Sequence, residues 1–375
     1  MRTSSMMTNG HAFKLGLFSP NCSGGLSPTR APEHWDASWE NNLALARMAE
    51  DAGFDFLVPV ARWRGFGGET RYQLNSLETA TWATGLLAHT KSITVFGTSL
   101  VYLIHPLFAA KQFATADLIG AGRFGINLVA GWKQDEFDMF GREMLPHDER
   151  YTMAQEWWDL LNQIWRQSEP FDFQGKYFHG TGIISEPKPM GDVRPLTMSA
   201  AASPAGRAFA VRNCDLLFTP VSDFENLPKD MAGIDAVAKE VGRRPRVMTS
   251  FSVFCRPTRK EAEDYFRYIA KDMEDTEAVD TLMRELGINS QSLPPENYIR
   301  YRERFAAGYG NYPLIGSPDD VAEQLVQAQS LGLGGATFAF VNYLKELPFV
   351  AAELLPRLEK LGLRQPAKQP QVAHS

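Results

Sequence analysis

The 375-residue sequence is poor in cysteine, and the three cysteines that it has are far apart. Cys22, Cys214 and Cys255 are odd in number and match neither a disulfide framework nor a zinc ribbon, which indicates a reducing compartment. The seven histidines are scattered and lack the HxH or HExxH spacing of a metal site. The sequence therefore argues against metal-assisted hydrolysis, and we expect no metal.

Long apolar runs and a strong charge of either sign are also missing. No apolar stretch approaches the roughly 20 residues that span a bilayer, and the start, MRTSSMMTNGHAFKL, lacks the apolar core of a signal peptide. The formal net charge is only −6 and no basic stripe is present. We therefore expect no nucleic acid and no membrane as partner, and a cytoplasmic location.

What the sequence does have is a regular alternation of short β-rich runs and longer helical patterns. The segment 39–53, for example, repeats apolar residues at helical spacing and ends at Gly53. Eight runs are typical of strands, at 13–19, 54–60, 92–100, 124–128, 195–200, 215–221, 246–255 and 336–341. Strands this apolar, each separated by a helix, indicate a parallel sheet covered on both faces. We predict an α/β fold, a closed (β/α)8 TIM barrel, with an open doubly wound sheet as the alternative.

The alternation fails between the seventh and eighth strands, from about 266 to 314. This segment is polar, aromatic and marked by proline and glycine. A long irregular insertion in a compact barrel is usually a lid or a binding loop, and the alternative is a decorative surface insertion. We predict one barrel domain over 12–365 that carries this lid, a disordered N-terminus at 1–11 and a flexible tail at 366–375.

Polar residues follow the predicted strand ends, where TIM barrels place their chemistry. Arg62, Thr98, Asn127 and Ser203 all occupy such positions. The amide of Asn127 must be satisfied, either by a ligand or by the loop that follows, and Gly131 allows a close approach to the chain. Ser203 precedes a helical pattern and is either a phosphate site or a simple N-cap. With no GxSxG elbow and no Schiff-base lysine, this set fits a chain that holds a reactive cofactor.

Four motifs in a fixed order carry a resemblance to a known family: ADLIGAGRFGINLVAGWKQDEF, LPHDERY, FQGKYF and LIGSPDDVAEQL. Together they resemble the bacterial luciferase-like flavin-dependent monooxygenases, over about residues 13–363. NCSGGL, VAGW followed by LPHDERY, and LIGSP resemble dimethyl sulfone monooxygenases in particular. RGFGGETR resembles pyrimidine monooxygenases as well.

The resemblance implies a cofactor, partners and site residues. Family members take reduced FMN (FMNH2) from a separate NAD(P)H-dependent flavin reductase, react it with dioxygen and use the flavin peroxide on a small-molecule substrate. The residues that match family flavin contacts are Ala61, Arg62, Asn127, Glu136, Arg150, Tyr151 and Ser203. Arg150 and Ser203 would offer charge and donors to the phosphate. Thr98 and Asn127 match the pair that flanks dioxygen in pyrimidine monooxygenases, so we predict these two as the catalytic residues.

The substrate class is predicted from a difference between this sequence and the alkanesulfonate monooxygenases. Where alkanesulfonate monooxygenases carry cationic residues that grip an anion, this chain has Ser250, Ser252 and Ala307. A buried sulfonate would lack charge-assisted partners there, so we predict a small neutral substrate such as a sulfone or another organosulfur compound. Arg302 and Arg304 in the predicted lid are the residues that could restore an anion site. Five aromatic residues predict an apolar pocket, or else barrel packing: Trp63, Phe66, Trp132, Tyr309 and Tyr312.

Other functions remain open at this point. The alternatives are a pyrimidine or heterocycle ring-opening monooxygenase, a deazaflavin-dependent dehydrogenase on the same fold, and a non-catalytic flavin-binding relative. The third and fourth helices are apolar enough to support a homo-oligomer, and the resemblance implies a dimer or a tetramer.

Overall fold

The structure is a computed structural model that describes residues 5–288 and 295–366. The strands within these residues are β1 (Lys14–Phe18), β2 (Phe56–Val58), β3 (Thr94–Leu100), β4 (Phe124–Val129), β5 (Phe171–Gln174), β6 (His179–Ile183), β7 (Leu196–Ala200), β8 (Leu216–Phe218), β9 (Arg246–Cys255), β10 (Tyr312–Gly316) and β11 (Gly335–Ala339).

Helices precede or follow most of these strands. They are α1 (Ser5–Thr8), α2 (Trp39–Asp51), α3 (Thr79–Ala88), α4 (Pro106–Ile119), α5 (Gln134–Met139), α6 (His147–Arg166), α7 (Pro204–Asn213), α8 (Leu227–Val241), α9 (Arg259–Arg267), α10 (Thr276–Glu285), α11 (Pro295–Gly308), α12 (Pro318–Ser330), α13 (Tyr343–Phe349) and α14 (Leu355–Lys360). No helix in the described part of the chain has the length and apolar character that a bilayer crossing requires.

Eight parallel strands close into a barrel in the order β1, β2, β3, β4, β7, β8, β9 and β11. The closing pair is β11 with β1, where Gly335 lies opposite Lys14. An open doubly wound sheet would leave these two strands as free edges, so the predicted TIM barrel is confirmed.

The inside of the barrel is filled by large side chains that face glycines on neighbouring strands. A Cβ on Gly16 would lie 2.5 Å from the ring of Phe56, and one on Gly125 would lie 2.4 Å from the ring of Phe96. Neither position therefore accepts a larger residue without displacing a buried ring.

We predict an irregular insertion at 266–314, and this prediction is wrong. The segment between β9 and β11 contains α10, α11 and the further strand β10. β10 pairs in parallel with the second half of β9, with Tyr312 opposite Phe251, while the first half of β9 pairs with β8. The apolar residues of α10 lie on one face and pack on Phe66 and Tyr72. The strand–helix alternation could not predict these elements. Their shared core with Phe66 and Tyr72 lies outside the repeating units of the barrel. Residues 289–294 of this segment lie outside the described residues.

The N-terminal stretch from Ser5 is ordered where we had predicted disorder. α1 places Met6 in the cluster at the bottom of the barrel, together with Phe56 and Phe96. Residues 1–4 and the predicted tail from 367 onward lie outside the described residues.

A buried ion pair joins the start of the barrel to its end. Asp55 accepts hydrogen bonds from Arg364 Nη1 (2.8 Å) and Leu15 N (2.7 Å), and the two charged side chains are 0% and 3% exposed. Burial alone would raise the pKa of Asp55, but the hydrogen bond from His11 and the charge of Arg364 lower it to about 2. A carboxylate with a lowered pKa stabilises the folded state.

Asp55→Asn is expected to lower the free energy of unfolding by about 2 kcal/mol at pH 7. The folded-state pKa lies below the ordinary value of 3.8. The stabilisation is therefore present above about pH 4 and is lost as the pH falls towards 2. Urea unfolding at a series of pH values measures this, and the difference between wild type and variant should shrink below pH 4. A difference that stays constant down to pH 2 would contradict this assignment.

Candidate functional site

All eight predicted site residues line one cavity at the carboxyl ends of the barrel strands. Its volume is ≈ 430 Å³, within the usual range of small-molecule and cofactor sites. The eight are Ala61, Arg62, Thr98, Asn127, Glu136, Arg150, Tyr151 and Ser203. They come from the ends of β2, β3 and β4, from α5 and α6, and from the turn before α7. The structure therefore brings the predicted residues together, while the role of each stays a prediction.

One end of the cavity is lined by residues from the N-terminal parts of α6 and α7. Ser203 caps α7, and its hydroxyl accepts from Gly206 N at 3.2 Å. Tyr151 packs so closely on α7 that a Cβ on Gly206 would lie 2.5 Å from its hydroxyl, and burial raises the pKa of Tyr151. The guanidinium of Arg150 donates to Leu145 O at 3.1 Å, but its Nε is buried with no partner among the described residues. This end therefore suits an anion.

At the mouth of the barrel, Thr98 and Asn127 form a polar pair on neighbouring strands. Thr98 Oγ1 donates to the carbonyl oxygen of Pro59 at 2.9 Å, and Asn127 Nδ2 donates to Thr98 Oγ1 at 3.1 Å. Asn127 Oδ1 is buried and has no partner among the described residues. A buried acceptor left open in this way is unfavourable unless a ligand supplies a donor.

Arg62 lies at the centre of a buried network. It donates to Glu136 Oε1 (3.3 Å), Gln73 Oε1 (3.2 Å) and the hydroxyl of Tyr309 (3.2 Å). Glu136 Oε1 also accepts from Trp63 N at 2.9 Å. The guanidinium is thus held in one orientation beside the cavity. It is not a surface salt-bridge partner.

Sequence reasoning missed several residues of this site. Gln73 was not considered, although it orients Arg62, and Tyr309 was considered only as a source of aromatic surface. His147 and Lys133 also line the cavity. Tyr309 comes from the segment between β9 and β11, so no local pattern could have placed its hydroxyl beside Arg62.

Gly131 lines the cavity, so the approach of a cofactor to it stays a prediction, and the surrounding protein gives a separate reason for a glycine there. Its φ of +89° lies in the left-handed region, where other residues are strained. A Cβ there would lie 2.6 Å from the ring of Tyr102 and 2.7 Å from the ring of Phe137. These rings stack with centroids 3.7 Å apart. The glycine is required by this ring pair and by the turn.

The lid arginines do not line the cavity. Arg302 forms ion pairs with Glu274 and Asp280. Arg304 donates to Ser222 O at 2.6 Å and lies over the ring of Tyr312. Neither arginine therefore supplies a cationic group to the cavity for an anionic substrate.

The predicted aromatic residues divide between the cavity and the packing around it. Trp132 and Tyr309 line the cavity. Phe66 and Tyr312 pack within the protein, and Trp63 lies half-exposed against Phe140, with ring centroids 5.0 Å apart. Two of the five predicted aromatic residues therefore line the cavity.

The open polar atoms fit a flavin mononucleotide. Its phosphate is an acceptor that would satisfy Arg150 Nε, and a ring N–H would satisfy Asn127 Oδ1. The donor end and the acceptor end belong to the same cavity. Within the described residues, no group of three or more His, Cys, Asp or Glu side chains is placed to hold a metal ion.

Comparison with known proteins agrees with this geometry. The family model for luciferase-like monooxygenases matches residues 13–334. An FMNH2-dependent dimethylsulfone monooxygenase of Pseudomonas fluorescens is 29% identical over 374 residues, covering 96% of this chain and 99% of the relative. The pyrimidine monooxygenase RutA of Acinetobacter baylyi is 30% identical over 343 residues, covering 88% of this chain and 91% of the relative.

Among solved structures, DmoA from Hyphomicrobium sulfonivorans superposes with a TM-score of 0.83 at 20% identity, covering 96% of this chain and 90% of that chain. This likeness supports the fold. Reduced FMN, the predicted cofactor, is the cofactor of the dimethylsulfone monooxygenases that the chain matches along almost its whole length, so that prediction is confirmed. The chain belongs to the luciferase-like monooxygenase family, and it is a flavin-dependent monooxygenase.

Proposed function

We propose that this protein is the oxygenase component of a two-component system that oxidises a small neutral substrate, such as a sulfone or another organosulfur compound. A separate NAD(P)H-dependent flavin reductase would supply FMNH2, and dioxygen would be the second substrate. The observation that carries the proposal is one cavity lined by both Arg150 and Asn127. Arg150 Nε is a buried donor and Asn127 Oδ1 a buried acceptor, and neither has a hydrogen-bond partner among the described residues.

Each end of the cavity has a distinct task in this proposal. Arg150, Tyr151 and Ser203 would bind the phosphate and fix the cofactor in register with the barrel. Ala61, Arg62 and Glu136 would hold the cofactor beside the end of β2. Bound reduced flavin supplies the electrons that activate dioxygen. Asn127, held by Thr98, would orient oxygen and stabilise the charge that develops on it.

The neutral substrate is supported by what the serines on β9 contact. Ser250 accepts a hydrogen bond from Asn311 Nδ2 at 3.0 Å, and Ser252 donates to Gly308 O at 3.3 Å. Both hydroxyls therefore fasten the returning chain to the barrel. A sulfonate at these positions would be desolvated without a cationic partner, which is unfavourable.

One alternative concerns the substrate class. A monooxygenase that opens heterocyclic rings would require the same cofactor. The match to a pyrimidine monooxygenase supports this alternative. Substrate profiling with sulfones and pyrimidines in parallel separates these two.

Anaerobic titration with FMNH2, followed by exposure to air, tests the proposed function. We expect saturable binding, and Arg150→Gln should raise the dissociation constant for FMNH2 about tenfold or more, because one charge-assisted phosphate contact is lost. Arg142→Gln is the matched control, since Arg142 is an exposed arginine before α6 that does not line the cavity. A protein that neither binds FMNH2 nor consumes oxygen with it would rule out the proposal.

We also propose that the protein forms a homo-oligomer through α3 and α4. A groove of ≈ 920 Å³ lies between these helices, and Phe108, which is 63% exposed, lines it. A two-fold dimer brings the same patch together twice, so Phe108 of one copy can enter the groove of the other. Phe108→Glu should then lower the mass measured by sedimentation to that of a monomer. An unchanged mass would contradict this interface.

A further inference from the structure

The hydrogen bonds between Pro59, Thr98 and Asn127 have a fixed direction. The carbonyl oxygen of Pro59 is buried and can only accept, so Thr98 Oγ1 must donate its single hydrogen to it (2.9 Å). The Thr98 oxygen can then only accept from Asn127, and the group of Asn127 that faces Thr98 must be the amide nitrogen (3.1 Å). The order of donors along the three residues is thus decided at Pro59.

This order also decides which atom of Asn127 stays open. With Nδ2 turned towards Thr98, the carbonyl oxygen Oδ1 is left as a buried acceptor with no partner among the described residues. If the amide were rotated by 180°, Thr98 would have to donate to Oδ1 instead, and the buried carbonyl of Pro59 would lose its partner. The fold therefore holds an acceptor, not a donor, in this position beside the cavity.

We propose that Thr98 is a positioning residue that makes the site prefer reduced over oxidised flavin. The inference rests on the proposed function, in which Asn127 lies beside the central ring of the cofactor. The central-ring nitrogen N5 of reduced flavin carries a hydrogen and is a donor, whereas N5 of oxidised flavin carries a lone pair. Asn127 Oδ1 accepts from the first and faces the lone pair of the second.

The same hydrogen bonds determine whether Thr98 can donate to dioxygen. Its hydrogen is committed to Pro59, so Thr98 cannot donate to an oxygen molecule while the network is intact. The second hydrogen of Asn127 Nδ2 is the donor that remains from the pair. Thr98 therefore acts through Asn127, and the preference for the reduced cofactor suits an enzyme that receives its flavin already reduced.

The test compares Thr98→Val with Thr98→Ser in the full-length protein. Valine keeps the shape but removes the hydroxyl that fixes the amide, whereas serine retains it. For each variant, the dissociation constants of FMN and of FMNH2 are measured, the latter anaerobically, together with the midpoint potential of the bound flavin. We expect Thr98→Val to lower the ratio of the FMN constant to the FMNH2 constant about tenfold and to lower the potential, and Thr98→Ser to retain both.

Ser99→Ala is the matched control, because Ser99 lies next to Thr98 on β3, is buried and does not line the cavity. An unchanged ratio in Thr98→Val would overturn the inference while leaving the proposed function intact. Failure of the wild-type protein to bind either form of flavin would overturn both. If Thr98→Val does not fold, Asn127→Leu removes the acceptor directly, and a ratio that stays at the wild-type value would again refute the inference.

Discussion

Asn127→Ala is expected to abolish coupled oxygenation while the barrel stays folded. The change removes the open acceptor beside the cavity and the remaining donor for oxygen, and loss of one such group in a preorganised site typically lowers the rate by about 100-fold or more. The barrel itself loses only the hydrogen bond to Thr98 Oγ1. The coupling is the ratio of product formed to hydrogen peroxide released, and it is measured with a flavin reductase present. Circular dichroism shows whether the variant is folded.

Asn162→Ala is the control for this substitution. Its amide donates to Trp158 O at 2.7 Å within α6, away from the cavity, and we expect normal coupling in this variant. Full turnover in Asn127→Ala would refute the role that we assign to Asn127. Equal loss in both variants would indicate a general effect on folding instead.

Glu136→Ala is expected to have the largest effect on stability. The Arg62 and Glu136 side chains are each 4% exposed, so the substitution leaves a buried cation without its carboxylate. Breaking a buried pair by removing one partner typically lowers the free energy of unfolding by about 3–5 kcal/mol. The backbone N–H groups of Trp63 and Arg64 lose their acceptor as well. Urea unfolding measures the change.

Glu136→Gln should have a smaller effect on the free energy of unfolding. Its side-chain carbonyl can still accept from Trp63 N and Arg62, so only the charge is lost. Glu143→Ala, an exposed carboxylate between α5 and α6, controls for the loss of one negative charge and should leave stability within about 0.5 kcal/mol. If Glu136→Ala were as stable as Glu143→Ala, the buried network would not support the site.

The position of the cavity could be predicted from the sequence. Parallel strands of a closed barrel end at one face, so Arg62, Thr98 and Asn127 were expected to meet there. Ser203 followed from the N-cap position of a helix after a strand. These inferences depend on local patterns and on one rule of barrel geometry, and the structure places all four residues on one cavity.

The contacts around the cavity could not be predicted in this way. Tyr309 reaches Arg62 across 247 positions of the chain. The packing reason for Gly131 could not be predicted either, because its sequence context gives no sign that Tyr102 and Phe137 stack against it. These contacts share one cause, which is that the folded chain and not the local sequence pattern decides which side chains surround a residue.

The sequence alone determined the order of the eight barrel strands, the face at which chemistry occurs and four residues that could serve it, because hydrophobic periodicity and strand-end positions are local properties. Only the tertiary structure decided the helices and the extra strand between β9 and β11, the network that holds Arg62, and the direction of the hydrogen bonds through Thr98. The reason is physical. Hydrogen-bond direction depends on which neighbours are already satisfied, and those neighbours are brought together only when the barrel closes.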